Sequence, residues 1–303
     1  MTHTQGYNSH AGAHMEAELV SQPDAWEQAA GLRAERELLP ASGERIAVVG
    51  CGTSWFMAQS YAVARESAGR GVTDAYSASE ALLDRGYDAI VAITRSGTTT
   101  EVLELLERAG GRTRRIGLVG DPNSPLVDLV DDVVKLTFAD EKSVVQTRFA
   151  TTALAFLRAS LGQDLTGAIA DGRQAVRAEL AAELLTASQY SFLGSGWTVG
   201  LAHEAALKMR ESAQLWAESY PATEYRHGPI AIAAPGRVTW MFGKPPQGLP
   251  ADIAATGAWY ENRPVDAMAD LIRAQRVALE RARRAGLDPD QPRNLTRSVI
   301  LSS

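Results

Sequence analysis

Three stretches of this 303-residue chain gather side chains able to do chemistry. The first runs from Thr94 to Glu101, TRSGTTTE, where five hydroxyl side chains surround Gly97. Short hydroxyls and free backbone N–H groups at the positive end of a helix suit a phosphate monoester. A plainer reading competes, because Thr98 with Glu101 fits the S/T-x-x-E capping box. Capping accounts for one threonine and leaves Thr94, Ser96, Thr99 and Thr100 spare. The second stretch holds Glu204, Lys208 and Glu211 at i, i+4 and i+7, so one helix face carries all three. The plain alternative there is a solvated stripe with a favourably spaced Glu-to-Lys pair. The third is AESYPATEYRHGP, with His227 between Arg226 and Gly228-Pro229. A histidine held in a Pro/Gly-bounded loop can carry a proton near pH 7, though loop histidines are common.

These stretches need elements to position them. RIAVVG (Arg45 to Gly50), YDAIVAI (Tyr87 to Ile93), RRIGLVG (Arg114 to Gly120) and VVKLTF (Val133 to Phe138) read as apolar strands. Helical stretches alternate with them: Trp55 to Ala68, Glu101 to Ala109 and the short PLVDLV. Continuous apolar strands alternating with helices predict a parallel sheet covered on both faces. The pattern restarts at QYSFLGSG (Gln189 to Gly196), where Gly194 and Gly196 each follow Gly50 and Gly52 by 144 residues. A helix over roughly Leu201 to Glu218, the strand VTWMFG (Val238 to Gly243) and a last helix along VDAMADLIRAQRVALERARRAG complete the second half. That half is short between His227 and the last helix, which predicts a sheet one strand smaller. A hinge is expected in the Ala- and Arg-rich helix around residues 160 to 185.

In such sheets ligands sit beyond the carboxyl ends of strands. A dinucleotide fingerprint after Gly50 needs a third glycine where Trp55 stands, and in the second half Gly200 is one residue late. A nicotinamide cofactor is therefore disfavoured, and no cofactor is expected. EKSVVQTRF, Glu141 to Phe149, lies between a strand and a helix and alone says little.

Composition narrows the classes. At about 150 residues per domain the length suggests two domains. An apolar fraction of 45% supports packed cores. A net charge of −6 argues against nucleic acid, which needs a basic face. Cys51 is the one cysteine, which excludes an internal disulfide and a Cys-cluster metal site. The opening MTHTQGYNSHAGAH is polar, unlike a signal peptide, and reads as a disordered tail. Its His3, His10 and His14 are spaced poorly for a metal. After it, MEAELVSQPDAWEQAAGLRAERELL is helical material interrupted at Pro23. No apolar run approaches the roughly 18 residues of a membrane span, so a cytoplasmic protein is expected.

Taken in order, GCGTS, TRSGTTTE, EAALKMRES, AESYPATEYRHGP and DPDQPRNLTRSV resemble the double sugar-isomerase-domain (SIS) family, including the isomerase half of glucosamine-6-phosphate synthase. The opening helix resembles that family's too, so the likeness runs from residue 15 to 303. It implies an α/β fold of two flavodoxin-like subdomains, each a parallel sheet flanked by helices. The boundaries expected are 1–34 for the tail and N-terminal helix, 35–170 for the first SIS domain and 171–303 for the second with its C-terminal segment. It further implies a sugar 6-phosphate bound without cofactor or metal, in active sites shared by a homodimer. By position, Cys51, Gly52, Thr53 and Ser54 match the first sugar loop. Thr94, Arg95, Ser96 and Thr99 match the phosphate loop, and Val144 a backbone contact in the third loop. Glu211 matches the carboxylate that moves a proton between C1 and C2, and His227 the ring-opening histidine supplied by the neighbouring subunit. Lys208 and Glu204 match supporting polar positions.

Two departures bear on mechanism. No glutaminase domain with its terminal cysteine nucleophile precedes the match, so no ammonia from glutamine is expected. Where the synthase places an imine-forming lysine, NLTRSV has Arg297, whose guanidinium stays protonated and cannot serve as that amine. It could still bind phosphate or a hydroxyl. Lysine is scarce here, with only Lys135, Lys142, Lys208 and Lys244 among 30 basic side chains. General drift from lysine to arginine explains that equally well, yet removes the same chemistry. The resemblance thus implies a phosphosugar isomerase or amino-sugar-6-phosphate deaminase. A fructosamine-6-phosphate deglycase and a non-catalytic phosphosugar sensor are the alternatives.

Overall fold

The computed structural model describes residues 11–301. His3 and His10 lie outside the described residues. The chain forms two compact units, each assembled from separate stretches. One contains Ser21–Glu141, Gln146–Thr166 and the chain from Thr296 onward; the other contains the chain up to Val20, Lys142–Val145 and Gly167–Leu295.

The first unit is built on a parallel sheet of β1 (Ile46–Gly50), β2 (Thr73–Ser77), β3 (Ala89–Thr94), β4 (Arg114–Val119) and β5 (Asp132–Lys135). Their spatial order is β2-β1-β3-β4-β5, the flavodoxin-like order. Every residue of β1 and β3 is buried, as strands covered on both faces require. The Thr100–Ala109 helix places Val102, Leu105 and Leu106 on one stripe, packed with Val49, Ile90, Ala92 and Val119. β2 lies at an edge with one buried residue in TDAYS, and so carries no apolar run to betray it in the sequence. The expected strand VVKLTF stops early, because Thr137–Ala139 winds into a 3₁₀ turn.

The second unit repeats the plan with β6 (Tyr190–Gly194), β7 (Ala217–Pro221), β8 (Val238–Phe242) and β9 (Trp259–Glu261), all parallel, in the order β7-β6-β8-β9. The sheet has four strands against five, as the short spacing after His227 predicts. The Thr198–Ala213 helix ends five residues sooner than its apolar pattern suggests. Gln214 turns left-handed there (φ 54), and LWAESY leads into edge strand β7. Between 160 and 185 the chain forms two helices, Thr166–Ala175 and Ala182–Thr186, instead of one.

The repeat in sequence is a repeat in geometry. A Cβ on Gly50 would lie 2.8 Å from the Ser54 backbone, and one on Gly194 would lie 2.3 Å from the Thr198 carbonyl oxygen. Both strand-to-helix turns are therefore too tight for a side chain.

Residues 11–14 correct the expectation of a disordered tail reaching His14. Ala11 is buried, and the Gly12 N–H donates to Asp288 Oδ1 at 2.8 Å. The Ala13–Val20 helix begins with Asp290 accepting from the His14 and Met15 N–H groups. Met15 and Leu19 pack with Val145 and Leu279, the latter on the Ala267–Arg284 helix.

Candidate active-site regions

The order β2-β1-β3 makes β1 and β3 the switch point of the five-stranded sheet, where open α/β sheets bind ligands outside the strand ends. Two candidate loops start there. Cys51 and Gly52 lead from β1 into the Thr53–Ser67 helix, and Arg95 to Thr99 lead from β3 into the Thr100–Ala109 helix. Val49 pairs with Ala92, which sets the two loops beside each other.

In the second loop, Thr94 Oγ1 accepts from the Gly97 N–H at 3.2 Å, and Ser96 Oγ accepts from the Thr98 N–H at 3.3 Å. The capping box does not form. Thr99 holds the N-cap without a side-chain capping bond, and Thr98 Oγ1 sits 3.0 Å from Ser96 Oγ and 2.9 Å from Ser298 Oγ. The hydroxyls thus cluster with one another, Thr99 Oγ1 lying 3.4 Å from Ser298 Oγ as well. The C-terminal segment continues along this loop, with the Thr100 N–H donating to the Val299 carbonyl and the Leu301 N–H to Thr100 Oγ1. Ser298 is a participant that its sequence position alone does not mark.

Gly97 makes the loop possible. Its φ is +62, and a Cβ would lie 1.9 Å from Ser124 Oγ. Gly97→Ala is expected to cost about 1–3 kcal/mol of stability from the forced backbone conformation and the clash. Denaturant unfolding checks this, and a loss under half a kcal/mol would show that the loop tolerates a Cβ.

Arg95 is buried, unlike a side chain waiting in an open loop. One guanidinium nitrogen donates to the Arg297 carbonyl at 2.9 Å, and the other lies 3.9 Å from Glu141 Oε2. The Arg297 guanidinium is itself engaged by Asp140 and by the Glu141 carbonyl. Glu141 explains the uninformative EKSVVQTRF segment. Its carboxylate accepts from the Thr147 and Arg148 N–H groups at 2.7 Å and the Phe149 N–H at 3.1 Å, capping the Arg148–Ser160 helix. Burial pushes the Cys51 thiol above its ordinary pKa, and the Glu101 carboxylate adds to the shift. Cys51 therefore stays a protonated, half-buried thiol, poorly suited to act as a nucleophile. Thr53 and Ser54 are buried in the first turn of their helix.

In the second unit the Thr198–Ala213 helix carries Glu204, Lys208 and Glu211 on one face. This face is no solvated stripe, for Glu204 and Lys208 are each 0% exposed. The Lys208 ammonium lies 3.6 Å from Glu204 Oε1 and donates to Glu211 Oε2. Glu211 alone of the three keeps appreciable exposure, 20% of its side chain. It lines an open cavity of about 580 Å³ together with Arg210, Trp216, Glu218 and Leu295. A buried cation held between two carboxylates, one of them reaching open space, is an arrangement that can accept and return a proton.

His227 ends the Glu224–His227 3₁₀ turn and is exposed. Val144 is half-buried, its N–H donating to the Asp290 carbonyl at 3.4 Å. Among the described residues no group of three or more His, Cys, Asp or Glu side chains could hold a metal ion. No described helix is long and apolar enough to cross a membrane.

A SIS domain matches residues 39–161. The chain is 28% identical over 317 residues to a glutamine–fructose-6-phosphate aminotransferase [isomerizing] of Gloeobacter violaceus, covering 85% of this chain and 52% of the relative. A second such enzyme, from a Nostoc species, is 28% identical over 357 residues, covering 95% of this chain and 57% of the relative. The chain thus spans about half the length of the curated relatives it matches. Two solved structures show the same fold. Glucosamine-6-phosphate deaminase from Thermotoga maritima has a TM-score of 0.78 at 23% identity, covering 94% of this chain and 99% of that one. Tagatose-6-phosphate ketose/aldose isomerase from Escherichia coli has 0.76 at 21%, covering 98% and 99%. Residues 39–161 thus match a SIS domain, and with two parallel sheets of five and four strands the chain has the fold of the double-SIS structures and is similar to the isomerase part of those aminotransferases.

Proposed function

We propose that the protein moves a proton between C1 and C2 of a nitrogen-bearing sugar 6-phosphate, releasing the nitrogen by hydrolysis of the imine that results. The observation carrying this reading is the buried Glu204–Lys208–Glu211 cluster, whose Glu211 carboxylate reaches an open cavity. A single base within hydrogen-bond reach of two adjacent carbons can take the proton from one and return it to the other through an enediol or enolamine. The Lys208 ammonium stabilises the oxyanion that develops between them.

The remaining roles follow the loops. Thr94, Ser96 and Thr99, on short hydroxyls at the switch point, anchor the phosphate, with the backbone and hydroxyls of Cys51, Gly52, Thr53 and Ser54 beside them on the sugar. Val144 offers a backbone contact. His227, supplied by a second copy of the chain in a homodimer, exchanges the ring-oxygen proton. Arg297 supplies no imine, since its guanidinium is permanently charged and tied to Asp140. Arg95 acts on the phosphate loop by holding it to residues 141 and 297. With a 2-amino aldose, the shifted proton leaves a C2 imine that water splits to a ketose phosphate and ammonia.

The test is a panel of aldose, ketose and amino-sugar 6-phosphates, read by amine release and by exchange of the C1 or C2 proton with solvent. Exchange with at least one member is the expected result. Tight binding across the panel without exchange or release would refute the enzyme and indicate a phosphosugar sensor.

A further inference from the structure

Three arginines stand around one small cavity of the first unit. Arg36, Arg65 and Arg70 line it with Ser42, Tyr61 and Ser160, and no acidic side chain does. None of the three guanidinium groups forms an ion pair among the described residues. In a chain of net charge −6, three like charges gathered without a counter-charge are unusual. They repel one another until an anion joins them.

A plainer role accounts for part of this. Arg36 and Arg65 lie in the last turns of their helices, where cations match the dipole and bond to exposed carbonyls. Arg65, 1% exposed, donates to the carbonyls of Ala41 at 2.8 Å, Glu44 at 3.1 Å and Gly71 at 3.2 Å. Arg36 donates to the Ala30 carbonyl. These acceptors are neutral, so they leave both charges uncancelled. The Arg36 Nε is buried with no partner at all. Arg70 follows the Thr53–Ser67 helix, and its guanidinium bonds to no described group. Burial raises the Tyr61 phenol above its ordinary pKa, and the charges of Arg65 and Arg70 oppose that shift, so both are felt in the cavity.

The frame around these charges is fixed. The Gly43 N–H donates to the Arg70 carbonyl at 2.9 Å, and the Arg65 bonds tie the same two loops together. The cavity holds about 60 Å³, about twice the ~30 Å³ of a water molecule in the liquid. That is room for a small ion and too little for a sugar. Its place excludes the substrate loops as well. Ser42 and Arg70 precede β1 and β2, whereas Cys51 and the 94–99 loop follow the far ends of β1 and β3. Five residues of β1 set the two ends roughly 16 Å apart.

We propose that this cavity is a second anion site, binding a free tetrahedral oxyanion of the inorganic phosphate class. Arg36 and Arg70 hold its oxygens through charge-assisted hydrogen bonds, with the Arg65 charge behind them. The ion joins the 36–42 connection to the ends of two helices, Thr53–Ser67 and Arg148–Ser160. Its binding therefore stabilises the fold by mass action.

The test is isothermal titration of inorganic phosphate into the full chain carrying Ser96→Ala and Thr99→Ala, which remove hydroxyls of the proposed substrate-phosphate loop. One phosphate per chain is expected to bind, and to raise the melting temperature beyond sodium chloride at equal ionic strength. Adding Arg70→Gln should weaken binding by about tenfold, the loss of one charged hydrogen bond, without disturbing the packing. Arg70→Lys should restore part of the affinity, since it keeps the charge. Absence of binding in that background, undiminished binding with Arg70→Gln, or an equal melting shift from chloride would overturn the proposal. So would glucose 6-phosphate binding there more tightly than inorganic phosphate, which would assign the cavity to the phosphate of a larger ligand.

Discussion

Glu211→Gln is expected to lower turnover by about 10²- to 10⁴-fold while sugar phosphate still binds, the range a single positioned acid–base group supplies. Glutamine keeps the shape and the hydrogen-bonding length of the side chain but cannot accept a proton from carbon. Its amide oxygen can still receive the Lys208 ammonium, so the buried cation retains a partner on that side. The stability cost should therefore be small beside the catalytic one, and melting curves taken with the kinetics separate the two. Isothermal titration with a sugar 6-phosphate should give a dissociation constant within a few fold of the unaltered protein, since the phosphate contacts proposed above are in the 94–99 loop. Undiminished turnover would remove Glu211 from the proton-transfer role. The variant also addresses the shared site. Mixed with inactive His227→Ala and allowed to exchange subunits, it should regain part of the activity if a neighbouring copy supplies the histidine. Failure in a demonstrated mixed dimer would mean that each copy works alone.

How far the residues announce all this varies with burial. The central strands β1, β3, β6 and β8 are legible because both of their faces are covered, so they read as unbroken apolar runs. The edge strands β2 and β7 are not, since TDAYS and AESYP bury one residue each and mix polar with apolar. The glycine turns are legible as a pair, because both Gly50 and Gly194 stand where any side chain would strike the following helix. The i, i+4, i+7 spacing of Glu204, Lys208 and Glu211 reveals a shared face but not its environment. Only packing decides whether such a stripe faces water, and here Glu204 and Lys208 are fully buried. The capping box at Thr98 misleads for a related reason. Ser298, some 200 residues away in sequence, competes for the threonine hydroxyl, and no local pattern encodes that contact. Glu141 is similar, for its capping role requires the chain to turn back from Thr147 to Phe149 onto one carboxylate.

Lys208→Met should cost the fold about 3–5 kcal/mol, because it leaves the Glu204 carboxylate buried without its cation. Glu204 is 0% exposed, so water cannot take over from the ammonium 3.6 Å away. For a domain of this size that loss lowers the melting temperature by roughly 6–20 °C. A variant within about 1 kcal/mol of the unaltered protein would contradict the reading of this triad as a tightly coupled buried group. The compensating change separates stability from chemistry. Glu204→Gln combined with Lys208→Met removes both buried charges, and the double variant should recover part of the stability that the single one loses, since the two side chains are coupled. Buried ion pairs often contribute little net stability compared with neutral replacements of similar volume. Methionine can fill the space of a lysine stem at this fully buried position. Yet the double variant should remain without turnover, as no ammonium then faces Glu211 to stabilise a developing oxyanion. A protein that is folded and inert locates the value of Lys208 in the reaction. One that is folded and active would show instead that Glu211 acts without it.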